Sequence, residues 1–124
     1  MIFIIIDGDD IGRKITSCYI SNDETRLAKI SIDMSSAVAA ISQLLQEVGF
    51  RVIFCAADGV VGVNSNRVDV GRLFNRIRSI APEDVTFSAG TGESLRQAYL
   101  ALTHAKCSGK NMHIDYECLN KELN

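Results

Sequence analysis

Acidic residues follow directly on the most apolar segment of this chain, in the run Asp7-Gly8-Asp9-Asp10. Residues 1–6 are apolar on both faces and rich in isoleucine, which is typical of a fully buried strand. A further acid, Asp58, stands in an Asp-Gly pair between two other apolar segments. Two carboxylates at neighbouring strand ends repel each other unless a cation lies between them. Mg²⁺ suits that place, because it favours carboxylates together with phosphate oxygens and water.

Purely structural roles are open for Asp9, Asp10 and Asp58. Asp-Gly pairs are common in hairpin turns, so Asp58 could serve the turn alone. Asp9 or Asp10 could cap the helix that follows the first strand. A buried strand that runs directly into three carboxylates is less ordinary, because structure alone requires no such local charge. The acidic run is therefore compatible with both a structural and a functional role.

Backbone groups and two lysines could hold phosphate. Gly8 allows a ligand to approach the backbone closely, and its carbonyl could join a metal's ligands. A predicted helix N-terminus, which favours anions, opens with the amides of Asp10, Ile11 and Gly12. Lys106 and Lys110 lie at the end of the last predicted helix. Their ammonium groups either complement the helix dipole or hold a triphosphate as point charges.

Apolar periodicity predicts the elements that position these groups. Strands are expected over residues 1–6, 50–57, 60–63 and 85–89, with an optional edge strand near 112–115. Helices are expected over residues 10–19, 27–48, 70–80 and 95–105. The order β-α-α-β-β-α-β-α with a central hairpin is that of a ferredoxin-like split βαβ fold with one extra helix. We therefore expect a single α+β domain over residues 1–124, an antiparallel sheet with helices packed on it.

Composition excludes several function classes. The chain has 124 residues, is 47% hydrophobic and carries a formal net charge of -2. It is too apolar for disorder, and it lacks the strongly basic surface of a dedicated nucleic-acid binder. Its four scattered cysteines and two histidines show no zinc-ligand spacing. No signal peptide is predicted, so we expect a cytoplasmic protein.

Four short motifs occur in an order that resembles a known group of palm domains. They are Asp7-Gly8-Asp9-Asp10-Ile11-Gly12, Ala56-Ala57-Asp58-Gly59, Phe87-Ser88-Ala89-Gly90 and Ala105-Lys106-Cys107-Ser108-Gly109-Lys110-Asn111. They resemble the palm shared by GGDEF diguanylate cyclases and the polymerase subunit of type III CRISPR complexes. The short length and the Gly90-Thr91-Gly92-Glu93-Ser94 turn resemble most the minimal CRISPR polymerase family, a stand-alone palm. The resemblance covers nearly the whole chain.

The resemblance implies a nucleotidyltransferase that makes cyclic oligonucleotides from nucleoside triphosphates and releases pyrophosphate. Asp7 matches the first-strand metal ligand, with the Gly8 carbonyl as its backbone partner. Asp58 matches the metal-binding acid of the hairpin, so Asp7 and Asp58 form the implied catalytic pair. Lys106 and Lys110 match the positions that hold triphosphate. Two Mg²⁺ or Mn²⁺ ions per active site are expected, because two such ions can align an attacking hydroxyl and a leaving pyrophosphate.

The sequence departs from the diguanylate cyclase pattern at two positions. Gly59 stands where GGDEF proteins carry a second acid, so Asp9 or phosphate oxygens are expected to complete one metal site. Ile15 falls where diguanylate cyclases place a guanine-reading asparagine, which favours adenine and hence ATP. No Arg-x-x-Asp inhibitory motif precedes the hairpin, so product inhibition of the diguanylate cyclase kind is not expected.

The resemblance also implies partners and a biological role. Minimal CRISPR polymerases are associated with anti-phage defence, in which a cyclic dinucleotide controls a separate, membrane-linked effector. A chain of this length holds a palm and little else, so no template nucleic acid is expected. A cyclic dinucleotide needs two nucleotides joined twice, which favours a symmetric homodimer with facing active sites.

Three other hypotheses remain open from the sequence. One is a GTP-hydrolysing palm that resembles archaeal GTP cyclohydrolase III and yields an opened-ring monomer. Another is a degenerate palm that binds a nucleotide as a sensor. The last is a metal-free ferredoxin-like interaction domain, in which Asp7 and Asp58 only repel each other.

Overall fold

The computed structural model describes residues 1–123. Its elements are β1 (Ile2–Gly8), α1 (Ile11–Ile20), α2 (Glu24–Glu47), β2 (Arg51–Ala56), β3 (Gly59–Asn64), α3 (Val70–Ile80), β4 (Phe87–Gly92), α4 (Leu95–Cys107), β5 (His113–Asp115) and α5 (Tyr116–Leu123). The predicted order is confirmed, including the optional last strand. Helix α5 was not predicted, because its short and mostly polar segment gives apolar periodicity little to act on. Within these residues, none of the helices combines the length and apolarity that a bilayer crossing requires.

The five strands form one sheet in the order β2-β3-β1-β4-β5, so β1 lies at its centre. β1 pairs antiparallel with β3 and with β4, and β2 pairs antiparallel with β3. This is the split βαβ arrangement of the ferredoxin-like palm. The edge strand β5 differs from the antiparallel expectation, since it runs parallel to β4. Parallel neighbours need a crossover connection, which α4 provides here.

One face of the sheet packs against the long helix α2. Ile4 and Ile6, both fully buried, alternate toward this face and join the core with the α2 residues Met34, Ile41 and Leu45. Met34, Ala37, Ile41 and Leu44 are all buried, because spacings of three and four residues place them on one side of α2. Helix α2 begins after Asp23, whose side chain accepts a hydrogen bond from the Arg26 amide.

Helix α4 packs on the opposite face and approaches β4 very closely. A Cβ atom at Gly90 would lie 2.2 Å from both the Ala98 carbonyl oxygen and the Leu102 amide nitrogen. Only glycine allows this backbone-to-backbone contact. Because α4 runs back along β4, its C-terminal turn and Lys106 come to the sheet end where β1 finishes.

Candidate active site

Asp7 is the penultimate residue of β1, the central strand of the sheet, and lies between two neighbouring strands. It pairs with Gly59 of β3 on one side and with Ser88 of β4 on the other. Burial raises the pKa of the Asp7 carboxyl, and the nearby Asp58 carboxylate raises it further, while Lys106 opposes both effects. The sheet therefore holds Asp7 at a place where its charge is costly without a cation.

The β2–β3 hairpin brings Asp58 to the same end of the sheet. Ala57 and Asp58 alone connect the strands, because β2 ends at Ala56 and Gly59 already belongs to β3, where it pairs with Asp7. Ala57 adopts a left-handed φ of 53°. The Gly8 amide donates a hydrogen bond of 2.9 Å to the Asp58 carbonyl oxygen, which ties the hairpin tip to the end of β1.

Gly59 leaves open space beside the Asp7 carboxylate. A Cβ atom at this position would lie 3.3 Å from Asp7 Oδ1 and 3.2 Å from the Ile6 carbonyl oxygen. A side chain at this position would therefore crowd the Asp7 carboxylate. The absence of a side chain here leaves Asp7 Oδ1 accessible to a ligand approaching between the strand ends.

The Lys106 ammonium group lies among oxygens of the loop that follows β1. Its Nζ atom is 2.9 Å from the Gly8 carbonyl oxygen, 3.2 Å from Asp7 Oδ2 and 2.8 Å from Asp9 Oδ1. Burial alone would lower the pKa of Lys106, but the hydrogen bond to Asp9 and the charge of Asp7 outweigh burial and raise it. Lys106 is therefore held as a cation against the candidate metal-binding oxygens.

Asp9 is buried, with 3% of its surface exposed, and both of its carboxylate oxygens accept hydrogen bonds. Its donors are Ser88 Oγ at 2.8 Å, Thr86 Oγ1 at 2.7 Å, the Asn111 amide at 3.0 Å and Lys106 Nζ at 2.8 Å. Burial would raise the pKa of Asp9, but these hydrogen bonds, led by that of Lys106, lower it overall. This set of contacts holds the β1 loop against β4 and the segment after α4. The predicted role of Asp9 as a metal ligand stays a prediction.

Asp10 and Lys110 form a pair at the start of α1. Lys110 Nζ lies 2.5 Å from Asp10 Oδ1, and this hydrogen bond lowers the pKa of Asp10. Asp10 precedes the helix in a left-handed conformation with φ of 59° and makes no side-chain cap. The predicted phosphate-binding residues Asp10, Ile11 and Gly12 therefore do open a helix beside Lys110. Ile11 contributes its backbone alone to this surface, because its side chain is buried in the core.

An apolar cavity of about 490 Å³ adjoins Asp58 between α1 and α2. Its walls include Ile15, Met34 and Leu27, with the hydroxyls of Ser31 and Ser35. Asp58 is the only acidic side chain among the described residues that line it. The cavity has the mostly apolar lining, with a few polar groups, that is usual for small-molecule sites.

The structure thus brings Asp7, Gly8, Asp58 and Lys106 together and places Lys110 next to them through Asp10. Sequence reasoning missed Thr86 and the polar role of Ser88 and Asn111. No sequence pattern pointed to Thr86, whereas Ser88 and Asn111 lie within two of the four short motifs of the sequence analysis. Their hydrogen bonds to Asp9 span 77 to 102 positions of sequence, which local patterns cannot show.

The fold matches solved structures of nucleotide cyclase domains. The active GGEEF domain of a diguanylate cyclase from Vibrio cholerae matches at 18% identity and a TM-score of 0.62, over 93% of this chain and 81% of that one. The GGDEF domain of YfiN (TpbB) from Pseudomonas aeruginosa matches at 16% identity and 0.65, over 92% and 80%. The GGDEF domain of DgcB from Caulobacter crescentus, solved in complex with c-di-GMP, matches at 13% identity and 0.62, over 94% and 77%.

At these identities the solved structures show a shared fold. No curated protein matches the chain in sequence. The minimal CRISPR polymerase (mCpol) domain, by contrast, matches residues 3–116 and so covers almost every element described above. The chain is a palm domain of the nucleotide cyclase and polymerase type, and it belongs to the minimal CRISPR polymerase family.

Proposed function

We propose that this chain is a metal-dependent nucleotidyltransferase that makes a cyclic dinucleotide from nucleoside triphosphates, with ATP as the favoured substrate. Each bond would form when a 3′- or 2′-hydroxyl oxygen attacks an α-phosphate. The bond to pyrophosphate breaks, and the hydroxyl proton passes to solvent. The observation that carries this proposal is the convergence of Asp7, Asp58 and Lys106 at one end of the sheet. Paired carboxylates beside a phosphate-binding cation suit charge stabilisation of phosphoryl transfer.

The donor set at this sheet end fits Mg²⁺ or Mn²⁺. Asp7 and Asp58 offer carboxylate oxygens and Gly8 offers a carbonyl oxygen, all of them hard ligands. Among the described residues, no group of three or more His, Cys, Asp or Glu side chains is arranged to hold a metal. Phosphate oxygens and water would therefore complete the coordination, with up to two ions per site. When bound, such ions would polarise the α-phosphate and the attacking hydroxyl.

The remaining charges would hold the triphosphate. The amides of Asp10, Ile11 and Gly12 open α1, and helix N-termini favour anions. Lys110 stands beside them, and Lys106 reaches from α4 to the end of β1. Fixing the triphosphate in this way would supply most of the rate through positioning.

The cavity beside Asp58 supports adenine as the bound base. Guanine presents N–H donors on its Watson–Crick edge and is best read by a strong acceptor. Ile15, Ser31 and Ser35 offer an apolar wall and two hydroxyls that can donate or accept. Asp58, the only carboxylate among the described lining residues, would hold the metal, so the base would meet hydroxyls and apolar side chains, which favours adenine.

A homodimer without a template would complete the reaction. Within the described residues, one protomer provides one lysine pair and one cavity beside Asp58, whereas a cyclic dinucleotide contains two nucleotides. A two-fold axis would place two active sites face to face, each using the other's nucleotide as acceptor. The product would bind a separate effector in anti-phage defence, and cytoplasmic nucleoside triphosphates would supply the substrate.

The test is incubation with the four nucleoside triphosphates and Mg²⁺ or Mn²⁺, followed by mass spectrometry. We expect an adenine-containing cyclic dinucleotide. Asp58→Ala should slow its formation by at least about 100-fold, the scale of removing one electrostatic stabilising group. Asp33→Ala removes an acid from α2, where Asp33 pairs with Lys29, and should leave the rate unchanged.

Other products would contradict the proposal in identifiable ways. An opened-ring guanosine monomer would indicate the GTP cyclohydrolase III alternative. Metal-dependent ATP binding without turnover would indicate a sensor. No binding at all, with a fold stabilised by Asp7→Asn and Asp58→Asn, would indicate an interaction domain.

A further inference from the structure

The chain leaves helix α4 through a backbone conformation that residues with a side chain rarely adopt. Gly109, Lys110 and Asn111 follow one another with left-handed φ angles of 116°, 65° and 50°. Glycine is usual at the first position, where the next amide bonds back into the helix, as the Lys110 amide does to the Ala105 carbonyl oxygen at 3.0 Å. This helix ending does not require a left-handed lysine, which is strained, so contacts from outside the segment must stabilise it.

Two groups of this segment reach the loop that follows β1. Lys110 Nζ lies 2.5 Å from Asp10 Oδ1. The Asn111 amide donates a hydrogen bond of 3.0 Å to Asp9 Oδ2. Both contacts depend on the path of the backbone at residues 110 and 111. That path therefore fixes where the second of the two candidate phosphate-binding lysines stands.

Arg78, in the last turn of α3, binds this backbone from a different element. Its Nη2 atom donates a hydrogen bond of 2.6 Å to the Asn111 carbonyl oxygen, and its Nε atom donates one of 3.3 Å to Asn111 Oδ1. Hydrogen bonds from a guanidinium are charge-assisted, and its planar fork fixes the direction of two acceptors at once. One side chain thus holds both the main chain and the side chain of Asn111.

Helix α3 in turn holds the guanidinium in place. Arg78 Cζ lies 4.8 Å from the centroid of the Phe74 ring, one helical turn earlier, at the distance of a cation–π contact. Phe74 is buried, and its ring centroid lies 6.4 Å from that of His113, in the strand that follows the segment. An arginine that only complemented the α3 dipole would need none of these contacts.

We infer that Arg78 is a positioning residue for triphosphate binding. It acts through Asn111 and Lys110 and does not touch the nucleotide itself. By holding Asn111, it keeps the Lys110 ammonium group at the β1 loop before the nucleotide arrives, so that less ordering remains to be done on binding. This role rests on the proposed function, in which Lys110 holds the triphosphate.

Binding of ATP with Mg²⁺ to the full chain, measured by isothermal calorimetry, tests this role. Arg78→Met should weaken binding by about tenfold, the scale of one charge-assisted hydrogen bond. Arg78→Lys keeps the charge without the fork and should still bind about threefold more weakly than the wild type. The control Arg76→Met removes the same charge from the same helix, where Arg76 lies 3.9 Å from Glu47, and should leave the affinity unchanged. Thermal melting checks that each variant is folded.

Two results of this titration would overturn the inference. Full recovery of affinity in Arg78→Lys would show that charge alone matters at this position. An equal loss in Arg76→Met would show that any positive charge on α3 serves as well.

A double variant shows whether Arg78 acts through Lys110. If it does, adding Arg78→Met to a chain that already carries Lys110→Met should weaken ATP binding by less than about threefold. A further tenfold loss in the double variant would overturn the inference, because the two residues would then act independently.

Amide hydrogen exchange without nucleotide, followed by nuclear magnetic resonance, separates this inference from the proposed function. The Asn111 amide should exchange at least about tenfold faster in Arg78→Met than in the wild type, and at the wild-type rate in Arg76→Met. That result in a chain that makes no cyclic dinucleotide would support Arg78 as the residue that positions the segment and overturn the proposed function. Unchanged exchange and ATP affinity in Arg78→Met, in a chain that makes the product, would overturn the inference and support the proposed function.

Discussion

Replacing Asp9 by alanine removes the acceptor for four hydrogen bonds within the site. Ser88 is fully buried, so its hydroxyl would lose its acceptor without gaining water. The Asn111 amide and Thr86 would also lose their acceptor, and Lys106 would lose its closest carboxylate. Each unsatisfied buried group costs about 1–3 kcal/mol, and a broken buried ion pair costs about 3–5 kcal/mol.

These losses are not additive, because Lys106 keeps its contacts with Asp7 and Gly8. We therefore expect Asp9→Ala to lower the free energy of unfolding by about 3–5 kcal/mol. That is a large part of the roughly 5–15 kcal/mol that stabilises a typical domain. The melting temperature should fall by about 10–25 °C. Asp9→Asn keeps the shape and one acceptor oxygen, so its cost should be about 2 kcal/mol.

Urea denaturation at neutral pH, followed by circular dichroism, measures these differences. The matched control is Asp10→Asn at the neighbouring, partly exposed carboxylate, which pairs with Lys110 near the surface and should lower the urea midpoint far less than Asp9→Asn does. The pKa of Asp9 is lowered by folding, so its contribution is present above its ordinary pKa of 3.8. It is lost as the pH falls through the lowered value, and Asp9→Asn should remove that acid sensitivity.

Asp9→Asn with wild-type stability would refute this reasoning. If such a variant also bound Mn²⁺ more weakly than the wild type, Asp9 would be a metal ligand, as the sequence predicted. Lost stability with unchanged Mn²⁺ affinity would instead establish Asp9 as a positioning residue for the loop and Lys106.

Three further predictions concern the same palm. Lys106→Met should tighten Mn²⁺ binding in the absence of nucleotide by about tenfold, because the ammonium group no longer shares the oxygens of Asp7 and Gly8. The same variant should weaken ATP binding. Electron paramagnetic resonance titration measures Mn²⁺ binding, and isothermal calorimetry measures ATP binding. Burial raises the pKa of Asp7, so Mn²⁺ affinity should already fall at pH values above 3.8, and constant affinity down to that pH would contradict the assigned ligand. Gly90→Ala should lower the free energy of unfolding by about 3 kcal/mol or more, because the new Cβ would overlap the backbone of α4. The control Gly12→Ala, which has open space around its Cβ, should leave that free energy unchanged or raise it. Urea denaturation measures both.

The sequence by itself predicted the elements up to β5 and most of the chemistry-bearing positions, whereas α5 was not predicted. The isoleucine-rich apolar run before Asp7 favoured a buried strand, and the spacing of Met34 and Ile41 placed both side chains on one helix face. A central hairpin between helices then fixed the split βαβ order, which makes β1 and β3 neighbours. For this reason the meeting of Asp7 and Asp58 at one sheet end was predictable from local patterns and topology.

Only the tertiary structure decided how those charges are paired. Asp9 stood in the sequence as one of three similar carboxylates, yet its environment is unlike that of its neighbours. Its partners Thr86 and Asn111 come from segments more than 75 positions away. Lys106 reaches the β1 loop because Gly90 lets α4 pack closely on β4. Hydrogen bonds depend on distances of tenths of an ångström, and those distances exist only once the helix and the sheet have packed.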